Sequence, residues 1–324
     1  MHKVNRRIAA LTMGLAAASA LSAPTLAQSW PQRPVRVIVP LPTGTAIDVS
    51  ARLFCEELSH RWRQPVIVEN IPGADGILAV KEFVGRTDGH TLLYSFAGLI
   101  TINPILYKSL PYDPARDLVP IAITSDNFLA IAASKKSKVV SLGDLVKLAT
   151  LQPGKLNWAA TAGIPYFAFA GFQNGARIDM AYVPYRDFTP AVTDLGEGRI
   201  DIASTALTQL LPHEQAGHAT LLAVMNRTRS PAAPHVPTAI ESGFPDLTFD
   251  GVTGFFGPRG MSTEMRDRLA QDIRAVTETQ SVRDRLPPLG IVARASTPAE
   301  FTVAIEEQRK KIAAIASAIG TKPQ

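Results

Sequence analysis

The sequence predicts an α/β fold of two domains, and three observations carry that reading. The chain opens strand, loop, helix, strand, the unit of a parallel sheet with right-handed crossovers. Short β-rich runs then keep alternating with helical patterns. The length of 324 residues suits two domains better than one.

The elements follow in order. Val35-Arg36-Val37-Ile38-Val39 is a β-rich run ended by Pro40, and a small-residue loop with Thr43-Gly44-Thr45 comes next. Ile47, Ala51, Phe54, Leu58 and Trp62 recur at near-helical spacing, with Asp48 placed as an N-cap or first-turn acid. Val66-Ile67-Val68 is the second strand. Pro72-Gly73-Ala74-Asp75-Gly76 is a turn before the apolar face Ile77, Val80, Phe83 and Val84. Residues 91–94, 121–124 and 128–132 read as strands, the last two flanking Ser125-Asp126-Asn127. Residues 142–151 form a helix with Ser141 as cap. Strands follow at 156–159, 181–183, 200–202 and 221–224, separated by helices. The tail is helical at 263–279 and 298–317. Two places read as crossings between domains, Ser125-Asp126-Asn127 and residues 248–253. They make the first domain discontinuous, 28–125 with 251–324, and the second, 126–250, an insertion.

The first residues read as an address. Residues 1–7 carry Lys3, Arg6 and Arg7 and no acid. Residues 8–21 are apolar or small, and Thr25-Leu26-Ala27 sets small residues where a signal peptidase reads. This three-part pattern is that of a secretory signal peptide, 1–27, cleaved after Ala27. The apolar run is shorter than the roughly 20 residues of a membrane span. The surroundings of Arg6-Arg7 fit a twin-arginine signal poorly, so the general secretory route is expected. No later segment is long and apolar enough to span a bilayer. The expected mature chain, 28–324, is soluble and exported to the periplasm.

Composition narrows the function. Apolar residues make up 46% and charged residues 19%, ordinary for a globular protein. The net charge of +5 falls close to neutral without Lys3, Arg6 and Arg7, which argues against nucleic-acid binding. The single cysteine, Cys55, excludes an intrachain disulfide and a cysteine-based zinc site. It sits in the apolar pattern of the first helix and reads as a small hydrophobe. There is no nucleophile elbow, phosphate loop or dinucleotide fingerprint. His213-Glu214 with His218 imitates a zinc motif, but the second histidine comes one residue too late, about 140° round a helix from the first. No catalytic group, metal or cofactor is expected.

The first loop offers binding chemistry. A strand running into a helix presents free N–H groups, and the helix dipole favours anions. Thr43 and Thr45 add hydroxyls. On local sequence alone, a tight connection between strand and helix explains the loop as well.

Ordered motifs then change the reading. Trp30-Pro31-Gln32-Arg33-Pro34-Val35-Arg36, Pro65-Val66-Ile67-Val68-Glu69-Asn70 with Pro72-Gly73-Ala74, and Ile102-Asn103-Pro104 with Leu110-Pro111-Tyr112-Asp113-Pro114 occur in sequence. Pro153-Gly154-Lys155-Leu156-Asn157, Val183-Pro184-Tyr185, Gly198 with Ile200-Asp201, and Val236-Pro237-Thr238 continue them. This series resembles the Bug/TctC-type periplasmic solute-binding proteins of tripartite tricarboxylate transporters, over nearly all of the mature chain. The resemblance implies a periplasmic-binding-protein-like fold, two α/β domains with a ligand cleft between them. It also implies a small carboxylate ligand, a monomer, and membrane permease subunits or a sensor kinase as partner. Ligand residues carried over by position are Thr43, Gly44, Thr45 and Asp48; Ala74 and Asp75; Ser95, Phe96 and Ala97. Further along they are Thr161, Ala162, Gly163, Tyr166 and Phe167; Tyr185 and Asp187; Ser204 and Thr205.

The chain departs from the family at these loops. Thr45 and Ala46 replace glycines, and Ile47 replaces a hydroxyl residue. If the loop needs positive φ there, Thr and Ala bear a cost. Ala162-Gly163-Ile164-Pro165-Tyr166-Phe167-Ala168 replaces a run richer in Gly and Ser or Thr, with Ala168 at a histidine position. Phe96 and Ala97 stand where small or amide residues are common. These changes predict a less polar cleft, with two readings of its aromatics: Tyr166 or Phe167 touches an apolar ligand body, or both are core. A signalling sensor and an exported enzyme remain the rival functions, and a cleft that has lost binding is the third possibility.

Overall fold

The computed structural model describes residues 30–185 and 188–323. The expected signal peptide, its cleavage after Ala27 and Asp187 lie outside the described residues. β1 (Val35–Val39) leads through α1 (Ala46–Trp62) to β2 (Val66–Asn70), then α2 (Ile77–Gly85), β3 (Thr91–Phe96) and α3 (Gly98–Leu106). The short α4 (Pro114–Asp117) precedes β4 (Leu118–Asn127), which runs directly into β5 (Leu129–Ser134). Next come α5 (Leu142–Leu151), β6 (Asn157–Ala160), α6 (Ile164–Ala176), β7 (Ala181–Tyr182), α7 (Phe188–Glu197), β8 (Ile202–Ala206), α8 (Leu207–Gln215) and β9 (Ala219–Val224). The chain ends with β10 (Gly251–Pro258), α9 (Thr263–Thr277), α10 (Gln280–Arg285), β11 (Ile291–Ala293) and α11 (Pro298–Ala318).

The strands form two sheets, ordered β11-β4-β10-β3-β1-β2 and β7-β6-β8-β5-β9. β1 pairs in parallel with β2 and β3, as the opening pattern predicted. β10 runs antiparallel to β3 and β4. In the second sheet β6 is parallel to β7 and β8, and β5 is antiparallel to β8 and β9. β5 and β10 are the strands the chain enters after passing from one sheet to the other. Reversed direction is thus the signature of each crossing.

Burial explains the elements. In β1, Val35, Val37, Ile38 and Val39 are buried and only Arg36 is exposed, as in a strand covered on both faces. α1 packs Phe54 against Tyr94 and Phe255, with ring centroids 6.1 and 6.3 Å away. Trp158 on β6 plays the same part in the second core, 4.7 Å from Phe169. Two sequence expectations shift, and one strand is new. Ser125-Asp126-Asn127 is the end of β4, paired to β10 on one side and β11 on the other. The strand expected at 200–202 occupies 202–206, which puts Ser204 and Thr205 on it. β11, with only three residues, carries too short a pattern to read.

Two asparagines bind the crossings together. The Asn127 side chain donates to Gly251 O at 3.1 Å and to Thr253 Oγ1 at 2.7 Å. Asn226 accepts from Leu129 N at 3.1 Å and donates to Asn127 O at 3.0 Å. Arg294 sits beside them, 3.0 Å from Asp126 and 4.0 Å from Asp250. α11 spans both units. Its Phe301 packs in the core of the first sheet, whereas Ile312 and Ala316 belong to the core of the second.

Asp126 yields a pH test. Burial raises its pKa, Arg294 opposes and Asp250 adds, leaving it at about 6. An unfolded aspartate titrates near ~3.9. The fold therefore holds the extra proton between about pH 4 and 6, and stability falls as pH rises through that window. The expected loss is on the order of 2 kcal/mol. Denaturant midpoints measured from pH 4 to 7 should show this slope, and Asp126→Asn should flatten it without loss of stability at pH 7.

Candidate functional site

A cavity of about 480 Å³ lies between the two sheets. Leu41, Phe96, Leu289 and Gly290 face it from the first side, Thr161 and Ala162 from the second, and Asn127, Phe128 and Gly251 from the crossings. Residues of four helix N-termini also line it: Thr45, Ala46 and Ile47 of α1, Gly98 of α3, Gly163, Ile164 and Pro165 of α6, and Ala206, Thr208 and Gln209 of α8. First-turn N–H groups have no intrahelical acceptor. α1 is capped by the Thr45 side chain, but α3, α6 and α8 have Ala97, Gly163 and Ala206 at N-cap and no side-chain cap bond. Among the described residues, no Lys, Arg, His, Asp or Glu lines the cavity. A larger cavity of about 650 Å³ lies elsewhere, beside Trp30, Arg116 and Met265.

The first loop is held from behind. Asp48 is buried and accepts from Gly44 N at 2.8 Å, Arg52 Nε at 3.1 Å and Asn70 Nδ2 at 2.8 Å. Burial pushes its pKa up, but Arg52, the Gly44 N–H and Asn70 outweigh that and leave it below the usual carboxylate range. Thr45 Oγ1 accepts from Asp48 N at 3.3 Å and donates to Pro42 O at 3.0 Å. Only Gly44 here has positive φ, 87°. Thr45 lies at φ −69° and Ala46 is helical. The replaced glycines therefore carry no backbone cost, which corrects the expectation of strain.

The second side is braced by β8. Ser204 Oγ donates to Pro165 O at 3.0 Å, and Thr161 N donates to Ser204 O at 3.1 Å. Thr205 Oγ1 donates to Gln209 Oε1. The two sides meet closely. A Cβ on Gly98 would lie 3.2 Å from Phe96 Cδ2 and 3.4 Å from Ile164 Cδ1. Gly290 has φ +65°, and a Cβ there would lie 2.3 Å from the Thr208 methyl. Only glycine allows both that backbone and that approach.

Of the residues carried over from the resemblance, Thr45, Phe96, Thr161, Ala162, Gly163 and Thr205 line the cavity. Gly44, Asp48 and Ser204 hold lining residues in place. Thr43 is exposed and donates to Asn70 Oδ1 at 3.2 Å. Ala74 and Asp75 form an exposed turn in which Asp75 accepts from the Tyr107 hydroxyl. Ser95 and Ala97 are buried in the first unit. Tyr185 donates to Asp194 Oδ2 at 2.5 Å; burial first, then Asp194, pushes its pKa up to about 12.

Of the two readings of Tyr166 and Phe167, their packing matches the core one. Tyr166 stacks on Trp158 at 5.6 Å, and Phe167 is 1% exposed in the second core. Ile164 and Pro165 line the cavity, whereas the rings of Tyr166 and Phe167 pack on the second core and do not. The apolar lining comes instead from Leu41, Ile47, Phe128, Leu129, Ile164 and Leu289. In the sequence, only its place beside a crossing marks Phe128. Leu289 and Gly290 follow Pro287-Pro288 and carry no signal there. Cys55 is buried in the first core, and burial pushes its thiol up. Glu214 pairs with His235 at 2.8 Å. Among the described residues, no group of three His, Cys, Asp or Glu side chains could hold a metal ion.

Comparison with known proteins places this geometry in a family. The family model for the tripartite tricarboxylate transporter family receptor, TctC, matches residues 50–321. A protein of the UPF0065 group from Bordetella bronchiseptica is 31% identical over 94% of this chain and 91% of its own length. The solved structure of Rpa4515 of R. palustris with adipate is 26% identical, with a TM-score of 0.79 over 91% of this chain and 100% of that one. MatC of Rhodopseudomonas palustris with bound malate is 27% identical, with a TM-score of 0.71 over 90% and 100%. With the match running from the first helix to the end of the last, the chain belongs to the Bug/TctC family of tripartite tricarboxylate transporter receptors.

Proposed function

We propose that this protein is an exported receptor that binds a small carboxylate between its two domains and presents the closed form to membrane permease subunits. The observation that carries the reading is the set of three helix N-termini without side-chain caps, facing one cavity that no described charged side chain lines. Leu207 N is taken by Phe128 O and Pro165 has no N–H, but the other first-turn donors call for an acceptor, and the helix dipoles favour a negative one. Each charge-assisted hydrogen bond contributes about 1.5–3 kcal/mol. Adipate and malate in the solved relatives support the same ligand class. The N-terminal pattern supports export. The family supports a binding role and not catalysis.

In this reading, residues 28–125 with 251–324 form one domain and 126–250 the other. A ligand that touches both binds the closed arrangement better and shifts the population toward it. Gly290 against Thr208 is then a contact of the closed form. The same closed shape would serve a sensor kinase, and no observation here favours that partner.

Two variants test the reading. Ala162 is exposed at the cavity wall, so its substitution leaves stability within about 0.5 kcal/mol. Ala162→Asp should weaken binding of an acid more than tenfold by repulsion at short range, whereas Ala162→Asn should bind nearly as the parent does; isothermal titration reads both. Equal affinities would remove the anion from the cavity. Gly290→Ala should weaken binding about tenfold, while the unliganded protein loses only the ~1 kcal/mol of a left-handed alanine. Comparing titrations with ligand-free denaturant melts separates these effects.

A further inference from the structure

We infer that the acid this cavity accepts is a monocarboxylate with a ring-sized apolar body; the inference rests on the carboxylate reading above and names the class of acid. Two phenylalanines enter the cavity from different places, Phe96 at the end of β3 and Phe128 between β4 and β5. Leu41, Ile47, Leu129 and Leu289 continue the apolar wall. Phe128 is fixed, because its carbonyl accepts from Leu207 N at 2.8 Å. Phe96 is seated close over Gly98, where a Cβ would lie 3.2 Å from its Cδ2. Such a wall gains from burying an aromatic or aliphatic ring.

The polar side chains argue against a second charge. Asn127 spends its amide on Gly251 and Thr253. Thr205 donates to Gln209, and Thr45 donates to Pro42. The donors left by these bonds are neutral: N–H groups of the helix starts, the hydroxyls of Thr161 and Thr208 and the Gln209 amide. A second carboxylate would be desolvated without a described cation to offset it, in the field of the first. The apolar wall and the lack of a counter-charge therefore select the same class, one charge and one apolar body.

The test uses protein expressed from the full-length sequence, purified, then unfolded and refolded to strip carried-over ligand. Benzoate, phenylacetate and 3-phenylpropionate are titrated beside adipate, malate and the neutral 3-phenylpropionamide. The expected result is a dissociation constant for the best ring acid at least tenfold below those of adipate and malate, with the amide at least 100-fold weaker. In Phe96→Asn the ring acid should lose at least tenfold while adipate changes less than threefold. Tighter binding of adipate or malate overturns the inference and leaves the carboxylate reading standing. An amide that binds as well as its acid overturns the carboxylate reading. Silence with all six probes overturns both. Equal losses for ring acid and adipate in Phe96→Asn overturn the ring contact.

Discussion

The hydrogen bonds of Asn127 and Asn226 are the constraint on which the rest of the molecule depends. A chain that builds two sheets and passes between them twice leaves backbone groups at each crossing that neither sheet satisfies. Asn226 takes the Leu129 N–H and the Asn127 carbonyl, one on each side of the β4–β5 passage. Asn127 takes the Gly251 carbonyl, at the return into β10. The two passages are thus tied to each other and not only to their own sheets. Phe128, Leu129 and Gly251 line the cavity because they flank these bonds. Removing either amide would leave buried groups unpaired, at about 1–3 kcal/mol each.

From that frame the chemistry of the cavity follows. In open α/β sheets, ligand crevices form beyond the carboxyl ends of parallel strands, where helices begin. Here β1, β3, β6 and β8 each deliver a helix start to one space. Among the described residues, several helices elsewhere close their first turn with a side chain, as Ser141, Ser262, Thr279 and Thr297 do. Three of the four at the cavity do not. The contrast within one molecule separates helix starts that the fold satisfies from those left for another acceptor. Asp48 takes part only indirectly. Its charge is spent on Arg52, Asn70 and Gly44, so the loop before α1 is rigid without setting a carboxylate at the cavity wall.

The fold was legible because its signals are local and repeated. The valine-rich β1, the periodic face of α1 and the Ser141 cap each state their element within a few residues. The cavity was legible only where lining residues lie on those loops, as Thr45, Phe96, Thr161 and Thr205 do. Phe128 and Leu289 reach it through tertiary placement, which no spacing in the sequence encodes. Tyr166 and Phe167 show the limit from the other side. Their neighbours Ile164 and Pro165 line the cavity, and only packing against the second core, around Trp158, decides that the next two aromatics do not. The loss of glycines at Thr45 and Ala46 suggested strain, yet only Gly44 needs the left-handed backbone.

The C-terminal helix ties the two units together, in addition to the crossings. A molecule joined only by two crossings could open widely about them. α11 adds a third tie: its Gln308 donates to Thr101 at 2.9 Å in a buried contact, between Phe301 in one core and Ile312 in the other. Ile315 lies 3.0 Å from where a Cβ of Gly171 would stand, so the helix and α6 are in close contact there. Lys311 adds a bond to Thr248 O at 2.7 Å, at the return crossing. Close-packed cores shift between discrete arrangements and do not stretch. A closure of the two units about a ligand would therefore have to keep the α11 contacts in one such arrangement. The tie reaches towards the cavity itself: Thr101 follows the lining residue Gly98 on α3, and Gly171 belongs to α6, whose first residues line the same space.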